Sequence, residues 1–236
     1  MSLSKVYVAL DYPDSHQADA LVRRLSPDLC GLKVGSELFT ACGPDVIQTW
    51  IAKGFSLFLD LKYHDIPNTV AKSCQAAAQL GVDMLTLHIA GGRDMMAAAV
   101  NTVNQFPVSS RPLLLGVTVL TSLLDDDLHA LGWTGSVSEY VAHYASIAKG
   151  VGLDGVVCSG CEVNVLRQML GRDYKLVTPG ISLGAIVGLD QKRCVTPSEA
   201  VEAGADILVI GRAITQADDP LDALQEALDQ IALCLV

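Results

Sequence analysis

The sequence has no basic run and no interleaving of aromatic with basic side chains, and its formal charge is −10. That excludes a general affinity for nucleic acid or acidic membrane surfaces. No apolar stretch is long enough to span a bilayer, and the start, Met1-Ser2-Leu3-Ser4-Lys5, lacks the charged-then-apolar layout of a secretion signal. A cytoplasmic protein is therefore expected. No G-x-G-x-x-G follows the first apolar run, so the fingerprint of a dinucleotide crevice is missing. Cys158-Ser159-Gly160-Cys161 is a C-x-x-C with neither a second such pair nor a pair of spaced histidines to complete a zinc set. The seven cysteines are odd in number, and Cys30, Cys42, Cys74 and Cys234 sit inside apolar segments, as small buried hydrophobes do in a reducing compartment.

What is present is a chain of 236 residues, half of them hydrophobic, with a mean hydropathy of +0.38. This is enough for one large core, and a single domain over residues 1–236 is expected. Apolar runs alternate with helical patterns. Val6–Leu10 reads as a strand ending in Asp11, followed by a helix over about 14–25 with Ala18, Leu21, Val22 and Leu25 at helical spacing. Gly31–Gly35 is a second strand, a helix spans about 37–53, and a third strand lies in the stretch 55–67. Pro67 then opens a helix at a position where proline is tolerated. Asp83–His88, Pro112–Thr118, Asp154–Cys158, Lys175–Val177 and Asp206–Ile210 read as further strands. Helical segments fall near 91–106, 124–151, 161–170, 197–203 and 219–232. Eight strand–helix units of this length predict an α/β protein with a closed (β/α)8 barrel.

In such a barrel, function sits at the carboxyl ends of the strands, where this sequence places Asp11, Lys33, Asp60, Lys62, His88 and Thr121. The stretch Phe55 to Pro67 is the most telling, because an apolar run ends in Asp60, Lys62 and Asp65. Strand alternation puts Asp60 and Lys62 on one face, with Asp65 just beyond, where the strand becomes a loop. Burying ions costs several kcal/mol each unless they are compensated, so stability alone does not call for them there. After the seventh strand comes Thr178-Pro179-Gly180-Ile181, and after the eighth Gly211-Arg212. These are the loops where barrels bind phosphate through backbone N–H groups, to which an arginine adds charge-assisted bonds. His64 and His88 invite a metal reading with Asp60 and Asp65, but a cation beside two lysines is poorly placed, and no metal is expected.

Asp60-x-Lys62-x-x-Asp65-Ile66-Pro67-Asn68-Thr69 resembles the orotidine 5′-phosphate decarboxylase family. So do Asp11, Gly31-Leu-Lys33-Val-Gly35, Val177-Thr-Pro-Gly-Ile181, Asp190-Gln191-Lys-Arg193 and Val209-Ile-Gly-Arg212. The resemblance implies cofactor-free decarboxylation of orotidine 5′-monophosphate to uridine 5′-monophosphate in pyrimidine biosynthesis, on a homodimer with shared sites. It implies Lys62 as the charge and proton source at the reacting carbon and Asp60 as its holder beside the substrate carboxylate. Lys33 and Asp65 would complete an alternating row of charges, Asp65 reaching the partner subunit's site. It further implies Asp11 toward the ribose, Thr69 beside Asp65 across the dimer, Thr121 at the base, and Gln191, Gly211 and Arg212 at the phosphate.

One departure stands out: where the family commonly has arginine and then proline after Gly180-Ile181, this chain has Ser182 and Leu183. A magnesium-dependent sugar-phosphate decarboxylase such as 3-keto-gulonate 6-phosphate decarboxylase shares D-x-K-x-x-D, but Ile66-Pro67-Asn68-Thr69 favours the nucleotide enzyme. A ribulose-phosphate epimerase would want metal-binding histidines at several strand ends. A non-catalytic phosphate-binding barrel does not account for the alternating charges.

Overall fold

The apolar runs of the sequence form strands buried on both faces, as the wall of a barrel requires. The computed structural model describes residues 5–184 and 194–234. The eight parallel strands are β1 (Val6–Ala9), β2 (Gly31–Gly35), β3 (Leu57–Tyr63), β4 (Met84–His88), β5 (Leu113–Val117), β6 (Gly155–Val157), β7 (Lys175–Thr178) and β8 (Ile207–Ile210). They close in sequence order, with β8 pairing back to β1. The inner face carries Tyr7, Ala9, Phe58, Met84, Leu115, Val177, Ile207 and Val209, packed into a plug. The alternate residues, among them Val8, Leu32, Leu57, Leu59, Leu85 and Leu208, belong to the larger core beneath the helices. Tyr7 and Phe58 meet edge to face with centroids 6.1 Å apart. Gly31 makes room for Tyr7, since a Cβ there would lie 2.4 Å from the tyrosine ring.

The helices outside the barrel are α1 (Ser15–Val22), α2 (Ser36–Cys42), α3 (Asp45–Ala52), α4 (Pro67–Gln79), α5 (Arg93–Val103), α6 (Asp125–Ala130), α7 (Val137–Val151), α8 (Gly160–Leu170), α9 (Pro197–Ala203), α10 (Arg212–Thr215) and α11 (Pro220–Leu233). Their starts are chemically marked: Asp14 caps α1, Ser136 α7, Thr196 α9 and Asp219 α11, each through a side-chain oxygen on a backbone N–H. Two segments expected as single helices are each divided. Gly43, at φ 69°, and Pro44 separate α2 from α3, and the turn around Gly132 separates α6 from α7. Glycine at positive φ and proline without an N–H end a helix even where the apolar spacing continues.

At the amino-terminal mouth of the barrel one device recurs. Gly81-Val82-Asp83, Gly152-Leu153-Asp154 and Gly204-Ala205-Asp206 each lead into an even-numbered strand, the glycine at φ 84°, 95° and 108° respectively. Each aspartate then grips the odd-numbered strand before it. Its carboxylate accepts the N–H of Leu57, Leu114 or Leu176, at 2.7, 2.8 and 2.8 Å. Its own N–H donates back to the carbonyl of that same residue. The charges are therefore partnered by backbone N–H groups of the barrel wall.

Candidate active site

The site is built from the carboxyl end of β3. Phe58 faces the barrel interior, so alternation carries Asp60, the next inward residue, to the open mouth. There the ladder breaks. Between the pairs Leu59–Leu85 and Tyr63–Leu87, residues 60, 61 and 62 of β3 stand opposite the single residue Thr86 of β4. Lys62 takes up the irregularity at φ 51°, the one non-glycine residue with positive φ among the described residues. That conformation costs about 1–2 kcal/mol for a residue with a Cβ, and such strain concentrates at functional sites. The result is a tight ion pair, Lys62 Nζ to Asp60 Oδ2 at 2.7 Å.

Lys33, expected at a strand end, stands in the middle of β2; it is almost fully buried and its ammonium reaches Asp11 Oδ1 at 2.7 Å. Of the expected alternating row, the direct ion pairs among the described residues are Lys33–Asp11 and Lys62–Asp60, and Lys33 and Asp60 line the same cleft without a direct ion pair between them. Lys33 turns toward the end of β1 rather than toward Asp60. Asp65 has passed beyond the strand into an exposed turn, where its Oδ1 accepts the N–H of Ile66 at 2.6 Å. Thr69, on the first turn of α4, is exposed beside it.

Asp11, Lys33, Asp60 and Lys62 line one cleft of about 490 Å³, together with Thr121 beyond β5, Ser182 beyond β7, and Gly211 and Arg212 beyond β8. The cleft therefore brings together seven of the ten residues expected from the sequence. Asp65 and Thr69 lie outside its lining, and Gln191 falls outside the described residues. Ala9, Phe58, Val157 and Val209 supply apolar surface. Ser182 is buried at the lip. Its N–H donates to the Val195 carbonyl at 2.9 Å, and its hydroxyl accepts from the Gly184 N–H at 3.3 Å. Tyr12, Thr215 and Gln216 also line the cleft and were not singled out from the sequence. They sit in short loop and helix segments without periodicity, and only their adjacency to Asp11 and Arg212 hints at them.

His88, at the end of β4, is half-buried, with its ring centroid 5.3 Å from that of the exposed His64. Burial, then His64, then Lys62 hold its imidazole below the ordinary value of 6.5, with Asp60 acting in the opposite sense. Burial thus favours the uncharged imidazole, and the ring lies outside the lining of the cleft. The two cysteines of the C-x-x-C sequence are set apart. Cys158 is fully buried, its thiol pushed far above the ordinary range, while Cys161 is exposed on the first turn of α8.

Charged pairs at the end of a parallel barrel, with an arginine after the eighth strand in the same cleft, can hold an anionic substrate and stabilise negative charge as it develops. Known proteins are similar to this chain in sequence and fold. An orotidine 5′-phosphate decarboxylase of Idiomarina loihiensis is 50% identical over 231 residues, covering 98% of this chain and 99% of that protein. One of Hydrogenovibrio crunogenus is 51% identical over 222 residues, 94% of this chain and 93% of the other. The crystal structure of orotidine 5′-phosphate decarboxylase from Lactobacillus acidophilus superimposes with a TM-score of 0.87 at 38% identity, covering 97% of this chain and 99% of that one. Residues 4–227 match the orotidine 5′-phosphate decarboxylase / HUMPS family along their whole length, and the chain belongs to that family.

Proposed function

We infer that this protein is a carboxy-lyase that converts orotidine 5′-monophosphate to uridine 5′-monophosphate and carbon dioxide, without a cofactor, at the end of pyrimidine biosynthesis. The observation that carries the reading is the Lys62–Asp60 pair, closed at 2.7 Å in a cleft that Arg212 also lines. The reaction breaks the bond from ring carbon 6 to the carboxylate and leaves an electron pair in the ring plane, where no π-system delocalises it. The Lys62 ammonium, held by Asp60, supplies fixed positive charge toward that carbon and then its proton, which the lysine regains from solvent. Asp60 lies beside the departing carboxylate, and its first role is to hold Lys62.

Lys33 with Asp11 faces the ribose, Thr121 the base, and Arg212 with Gly211 the phosphate, a role that the family resemblance also gives to Gln191. The whole chain acts as one barrel domain. Among the described residues no helix is long and apolar enough to cross a membrane, and a chain with thiols buried at Cys30, Cys74 and Cys158 fits a reducing cytoplasm.

The active form we propose is a homodimer. Asp65, Ile66, Asn68 and Thr69 are exposed in sequence next to the catalytic pair, Ile66 with 66% of its surface accessible. An apolar side chain flanked by polar ones at a site mouth suits contact with a second copy, in whose cleft Asp65 and Thr69 would complete the charges. Mixing inactive Asp65→Ala and Lys62→Ala proteins should restore activity, because a heterodimer rebuilds one intact site. No recovery after verified subunit exchange contradicts sharing. The reaction itself is tested by following the ultraviolet absorbance of orotidine 5′-monophosphate with and without chelator. Turnover unaffected by chelator is expected, whereas a requirement for added magnesium would move the assignment to the sugar-phosphate enzymes.

A further inference from the structure

We propose that Thr86 is a positioning residue for the reaction, its hydroxyl locking Asp60 and the strained Lys62 backbone into one unit. Thr86 is wholly buried on β4, opposite the irregular part of β3. Two contacts meet at its oxygen: the Lys62 N–H at 2.9 Å and Asp60 Oδ1 at 2.8 Å. Their directions are forced. A backbone N–H can only donate, so the Thr86 oxygen accepts from Lys62, and its single proton goes to the ionised Asp60 carboxylate, which can only accept. Since Asp60 Oδ2 takes Lys62 Nζ, the links run from the Lys62 backbone through Thr86 and Asp60 to the tip of the same lysine. The hydroxyl stands in for the ladder bond that the irregularity removes and holds Lys62 at φ 51°. Thr86 is outside the cleft lining, so it acts through Asp60 and Lys62 and not on the substrate.

The inference rests on the decarboxylase reading above. Its test compares Thr86→Val, which keeps the shape and removes the hydroxyl, with Thr86→Ser, which keeps the hydroxyl. The readouts are kcat, KM and, by calorimetry, affinity for uridine 5′-monophosphate. Misplacing a reacting group by about an ångström costs roughly 100-fold, so Thr86→Val should lose about that factor in kcat. KM and product affinity should stay within about threefold, because the ribose and phosphate contacts are untouched. Thr86→Ser should restore kcat to within about fivefold of wild type, since it rebuilds both hydrogen bonds.

Three results would overturn the proposal: Thr86→Val retaining wild-type kcat, a loss confined to KM, or Thr86→Ser losing as much as Thr86→Val. If Thr86→Val does not fold, Thr86→Ala replaces it with the same expectation, and failure of both to fold assigns Thr86 to core stability and also overturns it. Wild-type protein inactive in the parallel assay contradicts the decarboxylase reading itself. Active wild type with an unimpaired Thr86→Val contradicts only this inference.

Discussion

The two mouths of the barrel use the same residue type for opposite purposes. At the amino-terminal mouth, Asp83, Asp154 and Asp206 bind backbone N–H groups of neighbouring strands, and two of them also meet a guanidinium, Arg111 for Asp154 and Arg167 for Asp206. At the carboxyl mouth, Asp11 and Asp60 turn their carboxylates to lysine ammonium groups that line an open cleft. A carboxylate on backbone N–H groups holds strands in register, whereas one on a side-chain ammonium beside a cleft can hold a reagent. Burial raises the carboxyls of Asp83 and Asp154 above their ordinary value, so their ionised forms are costly and the hydrogen bonds offset that cost. The amino-terminal set should therefore govern stability and the carboxyl-terminal set turnover.

The largest effect is expected at Lys62. Lys62→Ala removes both the fixed charge and the proton source and should lower kcat about 10⁴-fold or more while the thermal midpoint stays close to wild type. A loss under about tenfold would show that the pair at the carboxyl mouth is structural after all. Next is Arg212, where loss of a phosphate partner should cost about 2–5 kcal/mol in kcat/KM. If Ser182 stands where a second cation would otherwise meet the phosphate, as proposed, Ser182→Arg should tighten binding or leave it unchanged. Orotidine lacking the phosphate separates the roles: Arg212→Ala slowing both substrates equally would remove Arg212 from the phosphate site.

The smallest effect concerns pH. His88 sits below its ordinary value in the folded protein, so as pH falls through about 6.5 the unfolded chain takes up a proton first. The stability contribution is full above that pH and is lost as pH falls toward the depressed folded value. Between pH 7.5 and 5.5 the thermal midpoint of wild type should fall further than that of His88→Gln. Equal slopes would mean that the ring is not held neutral.

Much of this was legible because the relevant signals are periodic. Eight apolar runs, each followed by a helical pattern, are enough for a (β/α)8 barrel. A polar residue directly after such a run, as Asp11 is, lands at the mouth by geometry alone. What was not legible depends on contacts between strands. The break opposite Thr86 is a matter of register between β3 and β4, which no single strand's sequence records, so the left-handed Lys62 and the role of Thr86 could not be anticipated. The division at Gly43-Pro44 was written in residues whose breaking effect the apolar spacing overrode. The recurring Gly-x-Asp before β4, β6 and β8 is visible once known, yet short enough to pass as loop chemistry. Lys33 was expected at a strand end but stands mid-strand in β2 and still lines the cleft, and its choice of Asp11 over Asp60 depends on side-chain reach across β1 and β2.

The most direct test makes the same substitution at both mouths. Asp60→Ala and Asp154→Ala are compared for kcat on orotidine 5′-monophosphate and for unfolding free energy in denaturant. Asp60→Ala should lose at least about 100-fold in kcat, because Lys62 is no longer held, with a stability loss of no more than about 1 kcal/mol, since water in the cleft can take the place of the carboxylate beside Thr86 and Lys62. Asp154→Ala should keep kcat within about threefold, yet lose about 2–3 kcal/mol of stability as the Leu114 N–H and Arg111 lose their partner. If the two variants instead lose activity and stability in the same proportion, the division of labour between the two mouths is contradicted.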